Sequence, residues 1–266
     1  MAEIAVLIPH YNHKDSLIDS VKSIDEVIEV DIFVVDDGSA VKPQKTEFEF
    51  YKGGQLFLYG YNKNKGIEYA LNFGLKKIQE KGYKYIARLD CADTCSKNRF
   101  TKQVSFLKKN NHISMIGSWV RLIDEEGNLL YNLKFPLKHN KIKKNSYLNA
   151  MFIHPTICFK SNILKNTGYY PTEYPAAEDY AFFFNVMKYY KTANYPEYLV
   201  NVEVNRYGIS SVKRRMQVKS RIYAIVDNFY FGLYPIYGLI RNILLLFASR
   251  NFTTFIKKIL HKKQTK

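Results

Sequence analysis

The sequence predicts an α/β fold, an open sheet flanked by helices with a helical appendage at its C-terminal end. Short apolar runs at Ile4–Ile8, Asp31–Val35 and Tyr85–Leu89 have the length and bounds of buried strands. Stretches with apolar residues at helical spacing lie between them, most clearly Ile67–Lys81. Each of the three runs stops in polar residues: Pro9–Asn12, Asp36–Ser39 and Asp90–Asp93. Acids at strand ends stand where open α/β sheets bind ligands, so these turns define a candidate site.

Taken in order, Asn12 or Asp15 can cap a first helix running to about Ser23, and the helix with its two strands makes a βαβ unit. Residues 40–54 read as irregular, and Leu56–Tyr59 as a third strand. The polar turn 62–66 precedes the Ile67–Lys81 helix, which Gly82 stops. After the central strand come an amphipathic helix over Asn98–Asn110, strands at Ser114–Gly117 and Trp119–Ile123, and a hairpin turn at Asp124–Asn128. The lysine-rich 134–149 segment reads as an exposed helix or loop. Met151–Phe159 is a second apolar patch, and Ser161 can cap a short helix ending at Gly168. A loop over Tyr170–Ala177 leads to a helix over about Asp179–Tyr190 and a late strand over Glu197–Val204. Ser210 or Ser211 caps a basic helix that opens the tail.

The 266 residues suffice for a full core, and 47% hydrophobic with 15% aromatic residues excludes a disordered chain. Cys91, Cys95 and Cys158 form no disulfide framework, and no second Cys or His pair stands at zinc spacing. The opening MAEIAVLIPHYN lacks a basic segment and a long apolar run, so no signal peptide is expected. Forty Lys and Arg against 24 Asp and Glu give a formal charge of +16. The excess lies in residues 206–266, while acids dominate the motifs before them, which favours a surface-binding tail over a nucleic-acid groove. Phe229–Ala248 is long enough to span a bilayer, but a central Arg241 costs about 2.5–3.5 kcal/mol there, so a segment lying in the interface fits better. Packing of this segment on the rest of the protein or on another subunit is the alternative.

Asp90 and Asp93 have the chemistry of Mg²⁺ or Mn²⁺ ligands, which bind through one or two carboxylates plus substrate phosphates. Asp93 alone reads equally as a turn acid capping the next helix. A carboxylate in the Asp36–Ser39 turn can accept from a base N–H or a ribose hydroxyl, although such turns are common. Glu178 and Asp179 open a helix, as capping acids or as a general base on a rigid support. His154 reads as a core histidine or a polar wall of an acceptor pocket.

In these motifs the chain resembles the family 2 glycosyltransferases over roughly residues 3–212. IPHYN, VVDDGS, Asn64-Lys65-Gly66 with ALNFGL, ARLDCAD, His154-Pro155-Thr156 and AEDY follow the order of that family's motifs. The resemblance implies a GT-A type fold with a Rossmann-like mixed sheet. It implies a catalytic domain over residues 1–212, with the nucleotide-sugar half at about 1–95 and the acceptor half at 96–212, followed by a basic, apolar tail at 213–266. By resemblance, Pro9, Tyr11, Asp37, Asn64, Gly66, Arg88 and Asp90 contact the nucleotide sugar. Asp90 and Asp93 hold Mn²⁺ or Mg²⁺, Asp179 is the base, and His154 and Glu178 lie on the acceptor side. One departure concerns metal dependence: Ala92 stands where the family's second metal-binding Asp belongs.

The expected activity is inverting transfer of one sugar from a nucleotide diphosphate, UDP or dTDP rather than GDP, to a hydroxyl of a glycan or lipid-linked glycan. The expected product is a lipopolysaccharide, O-antigen or capsule precursor, made by a cytoplasmic protein at the inner face of the membrane. Ala92 motivates an alternative, a catalytically silent nucleotide-sugar-binding or scaffold protein.

Overall fold

A computed structural model describes residues 2–204 and 213–247. Its sheet is mixed. Strands β1 (Ile4–His10), β2 (Val30–Asp36), β3 (Leu56–Gly60) and β4 (Tyr85–Arg88) lie parallel in the order β3-β2-β1-β4. Beyond β4 the strands continue out of sequence order. A two-residue strand β5 (Thr94–Cys95) forms the far edge, next to the late strand β9 (Lys191–Glu203). β6 (Ile113–Ile123) runs parallel to β9 and antiparallel to β8 (Cys158–Lys160), which pairs antiparallel with β4. β7 (Leu129–Leu133) folds back on β6.

The two strands expected at 114–123 are one continuous strand, because β9 pairs along all of it through three register shifts. The late strand begins earlier than expected, at Lys191, for the same reason. β5 and β7 carry too few residues, or too exposed a face, to announce themselves.

Helices cover both faces. Ile4, Val6 and Ile8 of β1 pack with α1 (Lys14–Lys22) and α3 (Arg99–Lys109). Ala5 and Leu7 face the other way, into a core with α2 (Ile67–Glu80) and α6 (Glu178–Tyr189). Alternation along a strand with both faces covered buries every residue, which is why these runs read as continuously apolar. Each fully buried Leu, Ile or Phe contributes about 1.5–3 kcal/mol of transfer free energy. Two further helices, α4 (His139–Ser146) and α5 (Leu164–Thr167), flank the second half of the sheet.

Several capping expectations do not hold. Neither Asn12 nor Asp15 caps α1, whose N-cap is His13 without a side-chain bond. Asn12 instead accepts from the Ala40 N–H at 2.9 Å. Asp93 does not cap α3; Glu26 does so from another loop, accepting from the N–H groups of Phe100 and Thr101 at 2.7 and 2.8 Å. Ser161 makes no side-chain cap bond. The proposed Ser210 or Ser211 cap lies outside the described residues.

The tail helices α7 (Arg214–Asp227) and α8 (Leu233–Phe247) pack together and on the body of the protein. The Tyr147 hydroxyl donates to the Asn228 carbonyl at 2.6 Å, and the Ser220 hydroxyl to the Pro175 carbonyl at 2.9 Å. A Cβ on Gly238 would stand 2.3 Å from the Tyr147 carbonyl oxygen, so α8 approaches at backbone distance. Among the described residues no helix is long and apolar enough to cross a membrane.

Candidate active site

The carboxyl ends of β1, β2 and β4 converge on one rim. Asp36 is buried there as an internal clamp. It takes hydrogen bonds from His10 Nδ1 at 2.7 Å and from the N–H of Ser39 at 3.0 Å, while the Asn12 N–H donates to the Ser39 hydroxyl at 2.8 Å. Its neighbour Asp37 holds the next turn: one oxygen accepts from the Lys65 N–H and the other from the Gly66 N–H, both at 2.9 Å. Gly38 between them has φ +80° and would put a Cβ 2.4 Å from the Lys63 carbonyl carbon, so this turn requires glycine.

This stitching opens a cavity of about 460 Å³ lined by Pro9, Tyr11, Asp37, Asn64, Gly66 and Glu68, and closed on the far side by Pro175, Ala176 and Lys213. Five residues expected at the nucleotide therefore share one cavity. Tyr11 in this lining exposes 44% of its surface.

Arg88 does not line the cavity, and His154 is buried, as its core reading expects. Arg88 is fully buried, donating to the Leu7 carbonyl at 2.6 Å and to Asp90 Oδ1. Its Nε–H points to His154 Nε2 at 3.3 Å, and the Tyr170 hydroxyl lies 2.8 Å from the same nitrogen. Burial, and then Arg88, pushes His154 well below its usual range, so the ring is a neutral acceptor. Arg88, His154 and Tyr170 thus stand behind the site and orient Asp90, whose side chain remains 32% exposed.

The expected Asp90–Asp93 metal pair is not presented as a pair. Asp93 is buried, accepts from the Glu203 N–H at 3.0 Å, and is held well above the usual carboxylate range by burial and then by Asp90. Ala92 takes φ +75° in the turn that sends Asp93 inward. No three His, Cys, Asp or Glu side chains surround a common point among the described residues. Of the expected pair only Asp90 is accessible, which fits a cation shared with substrate phosphates and not a cage built by protein alone.

Asp179 lies within electrostatic reach of Asp90. Burial raises its carboxyl and the charge of Asp90 adds to that, while Arg221 and the Tyr180 N–H at 2.7 Å work against it. Glu178 beside it is 7% exposed, has an unpartnered Oε2, and is pushed up to about 8 by burial and then by Asp179, with smaller contributions from Glu68 and Asp90. Four carboxyl groups from three separate segments, those of Glu68, Asp90 and the Glu178–Asp179 pair, therefore act on one another. Residues not foreseen as parts of the site include Glu68, Tyr170 and Arg221. The first two carry no motif signal, and Arg221 belongs to the basic helix of a tail that reads as surface-binding.

An open mixed α/β sheet whose parallel strand ends hold a nucleotide-sized cavity has the architecture of a GT-A transferase. The model of the family described as "Glycosyl transferase family 2" matches residues 5–167, and the chain belongs to that family. It is 29% identical over 229 residues to an uncharacterized glycosyltransferase of Haemophilus influenzae, covering 80% of this chain and 69% of that one. It is 29% identical over 170 residues to an Escherichia coli UDP-Gal:alpha-D-GlcNAc-diphosphoundecaprenol beta-1,3-galactosyltransferase, covering 64% of this chain and 59% of that one. The fold resembles the mannosyltransferase PcManGT of Pyrobaculum calidifontis, solved with GDP-Man and Mn²⁺, with TM-score 0.63 at 15% identity over 92% of this chain and 70% of that one.

Proposed function

We propose that the protein is an inverting, single-addition glycosyltransferase. It moves a sugar from a nucleotide diphosphate, UDP or dTDP rather than GDP, to a hydroxyl of a glycan or lipid-linked glycan precursor. The product belongs to the lipopolysaccharide, O-antigen or capsule type, and the work is done at the inner face of the cell membrane. The observation that supports this reading is that the Asp90 charge acts on the Asp179 carboxyl, so the two lie within electrostatic reach of each other. The E. coli relative, whose name gives a UDP-sugar donor and a diphosphate-linked lipid acceptor, supports the donor and acceptor classes.

In this reading the base lies over Tyr11, and Asp37 keeps spare acceptor capacity beside it. Lys213 brings positive charge to the cavity edge, where a diphosphate needs it. Asp179 takes the proton of the acceptor hydroxyl, whose oxygen forms a bond to the anomeric carbon from the side opposite the diphosphate. The carbon–oxygen bond to phosphate breaks, its electron pair leaves with the nucleotide diphosphate, and the configuration inverts. A divalent cation held by Asp90 together with the donor phosphates would supply Lewis-acid stabilisation of the leaving charge. Arg88 acts indirectly, by holding Asp90 in place.

The test is Asp179→Asn, assayed against a panel of UDP-, dTDP- and GDP-sugars with and without Mn²⁺. Turnover is expected to fall by roughly 10²–10⁴-fold, the usual worth of a general base. Donor binding, read as thermal stabilisation, should be nearly unchanged. Turnover like the wild type would remove Asp179 from the role. Donor binding without transfer or hydrolysis by the wild type would favour the scaffold reading that Ala92 suggests.

A further inference from the structure

Two guanidinium groups from the tail meet near Tyr180, and one of them, Arg221, lies within electrostatic reach of Asp179. Arg221 of α7 lies over the Tyr180 ring, its guanidinium carbon 5.3 Å from the centroid, and donates to Asn149 Oδ1 at 3.3 Å. Arg241 of α8 donates to the carbonyl of Leu148, the residue before Asn149. They are close enough that Arg221, after burial, lowers Arg241 from its ordinary value. Neither forms an ion pair among the described residues. Their partners are neutral oxygens, and the Arg221 Nε–H is buried with none. Two partly buried like charges whose hydrogen bonds go to neutral oxygens, with only the Asp179 carboxyl in electrostatic reach of Arg221, favour a further anion between them.

The neighbouring surface tells what kind of anion fits. Tyr237, Ile240 and Leu244 are 58%, 52% and 63% exposed, at positions flanking Arg241 on α8. Leu233 and Phe247, each 85% exposed, extend the same apolar face to both ends of the helix. Pro235, Gly238 and Asn242 form its buried side, against the body of the protein. An anionic group next to an uncovered apolar stripe matches a ligand that is itself amphipathic.

We propose that Arg221 and Arg241 form an acceptor-side anion subsite for the phosphate groups of a lipid-linked acceptor, whose apolar chain lies along the exposed face of α8. The subsite deepens the glycosyltransferase reading and rests on it in one respect, that the bound acceptor presents its hydroxyl to the nearby Asp179. It also makes the tail part of the site.

The probe is farnesyl diphosphate, titrated into the full chain by calorimetry with excess UDP present to occupy the nucleotide cavity. Farnesol and inorganic pyrophosphate are the comparison arms. Binding should be weakened roughly tenfold or more in the double variant Arg221→Gln/Arg241→Gln, since each charge-assisted bond to phosphate contributes more than a neutral one. Arg221→Lys and Arg241→Lys should each be intermediate, and they keep the question decidable if the double variant does not fold. Farnesol should bind much more weakly than the diphosphate. Equal affinity of wild type and Arg variants would overturn the subsite. Inorganic pyrophosphate binding as tightly as farnesyl diphosphate would overturn the lipid-linked assignment. Sugar transfer is not read in this experiment, so binding intact in a chain that transfers nothing would sink the proposed function and leave the subsite standing.

Discussion

Glu178 and Gly38 show how single residues here serve the site at some expense to the fold. A carboxyl raised to about 8 stays protonated in the folded state while its unfolded counterpart ionises near 4.5. Folding stability therefore falls as pH rises from the unfolded value to the folded one, and levels off above it. Glu178→Gln, which is neutral at every pH, should remove this loss. We expect it to match the wild type near pH 4 and to exceed it by a few kcal/mol at pH 9, ~1.4 kcal/mol per pH unit being the ceiling. Thermal melts across that range check it, and parallel pH profiles of the two proteins would refute it. Gly38→Ala acts through the backbone: its Cβ meets main chain and its φ is left-handed. We expect a loss of roughly 1–3 kcal/mol, with weaker thermal stabilisation by UDP because the 64–66 turn shifts.

At the scale of elements, the tail pair is a docked part of the molecule, held by backbone contact at Gly238 and by the Tyr147 and Ser220 hydroxyls. Gly238→Val should push α8 from its seat. The expected result is a loss of about 1–3 kcal/mol, typical of overpacking, read in the denaturant midpoint. An unchanged midpoint would mean that α8 contributes little to the folded body. The strand ends act as a group. β1, β2 and β4 are legible in the sequence because burial on both faces leaves unbroken apolar runs, and their polar stops mark the rim directly. β5 and β7 are not legible, since their pairing comes from β9 and β6 and not from their own side chains.

For the whole molecule, charge and apolar surface point the same way. The formal +16 is concentrated toward the tail, and the exposed stripe of α8 lies on that tail. We expect the full chain to float with vesicles containing anionic lipid, to float poorly with neutral ones, and to be released as salt rises, because about 1 kcal/mol per basic residue near the surface is screened within a Debye length. Equal flotation with both vesicle types would remove electrostatics from the tail's role. Chelation is expected to reduce sugar transfer while leaving the melting temperature of the donor-free protein unchanged, since no cage of protein ligands stands among the described residues.

What the sequence by itself determined is the family, the parallel half of the sheet and the cavity residues Pro9, Tyr11, Asp37, Asn64 and Gly66, because local patterning and ordered motifs encode them within short stretches. Only the tertiary structure decided that Asp93 turns inward to β9, that Arg88 and His154 stand behind Asp90, and that Arg221 reaches Asp179 from the tail. The physical reason is that a side chain's protonation and reach depend on burial and on neighbours far away in sequence, which only the packed chain brings within a few ångströms.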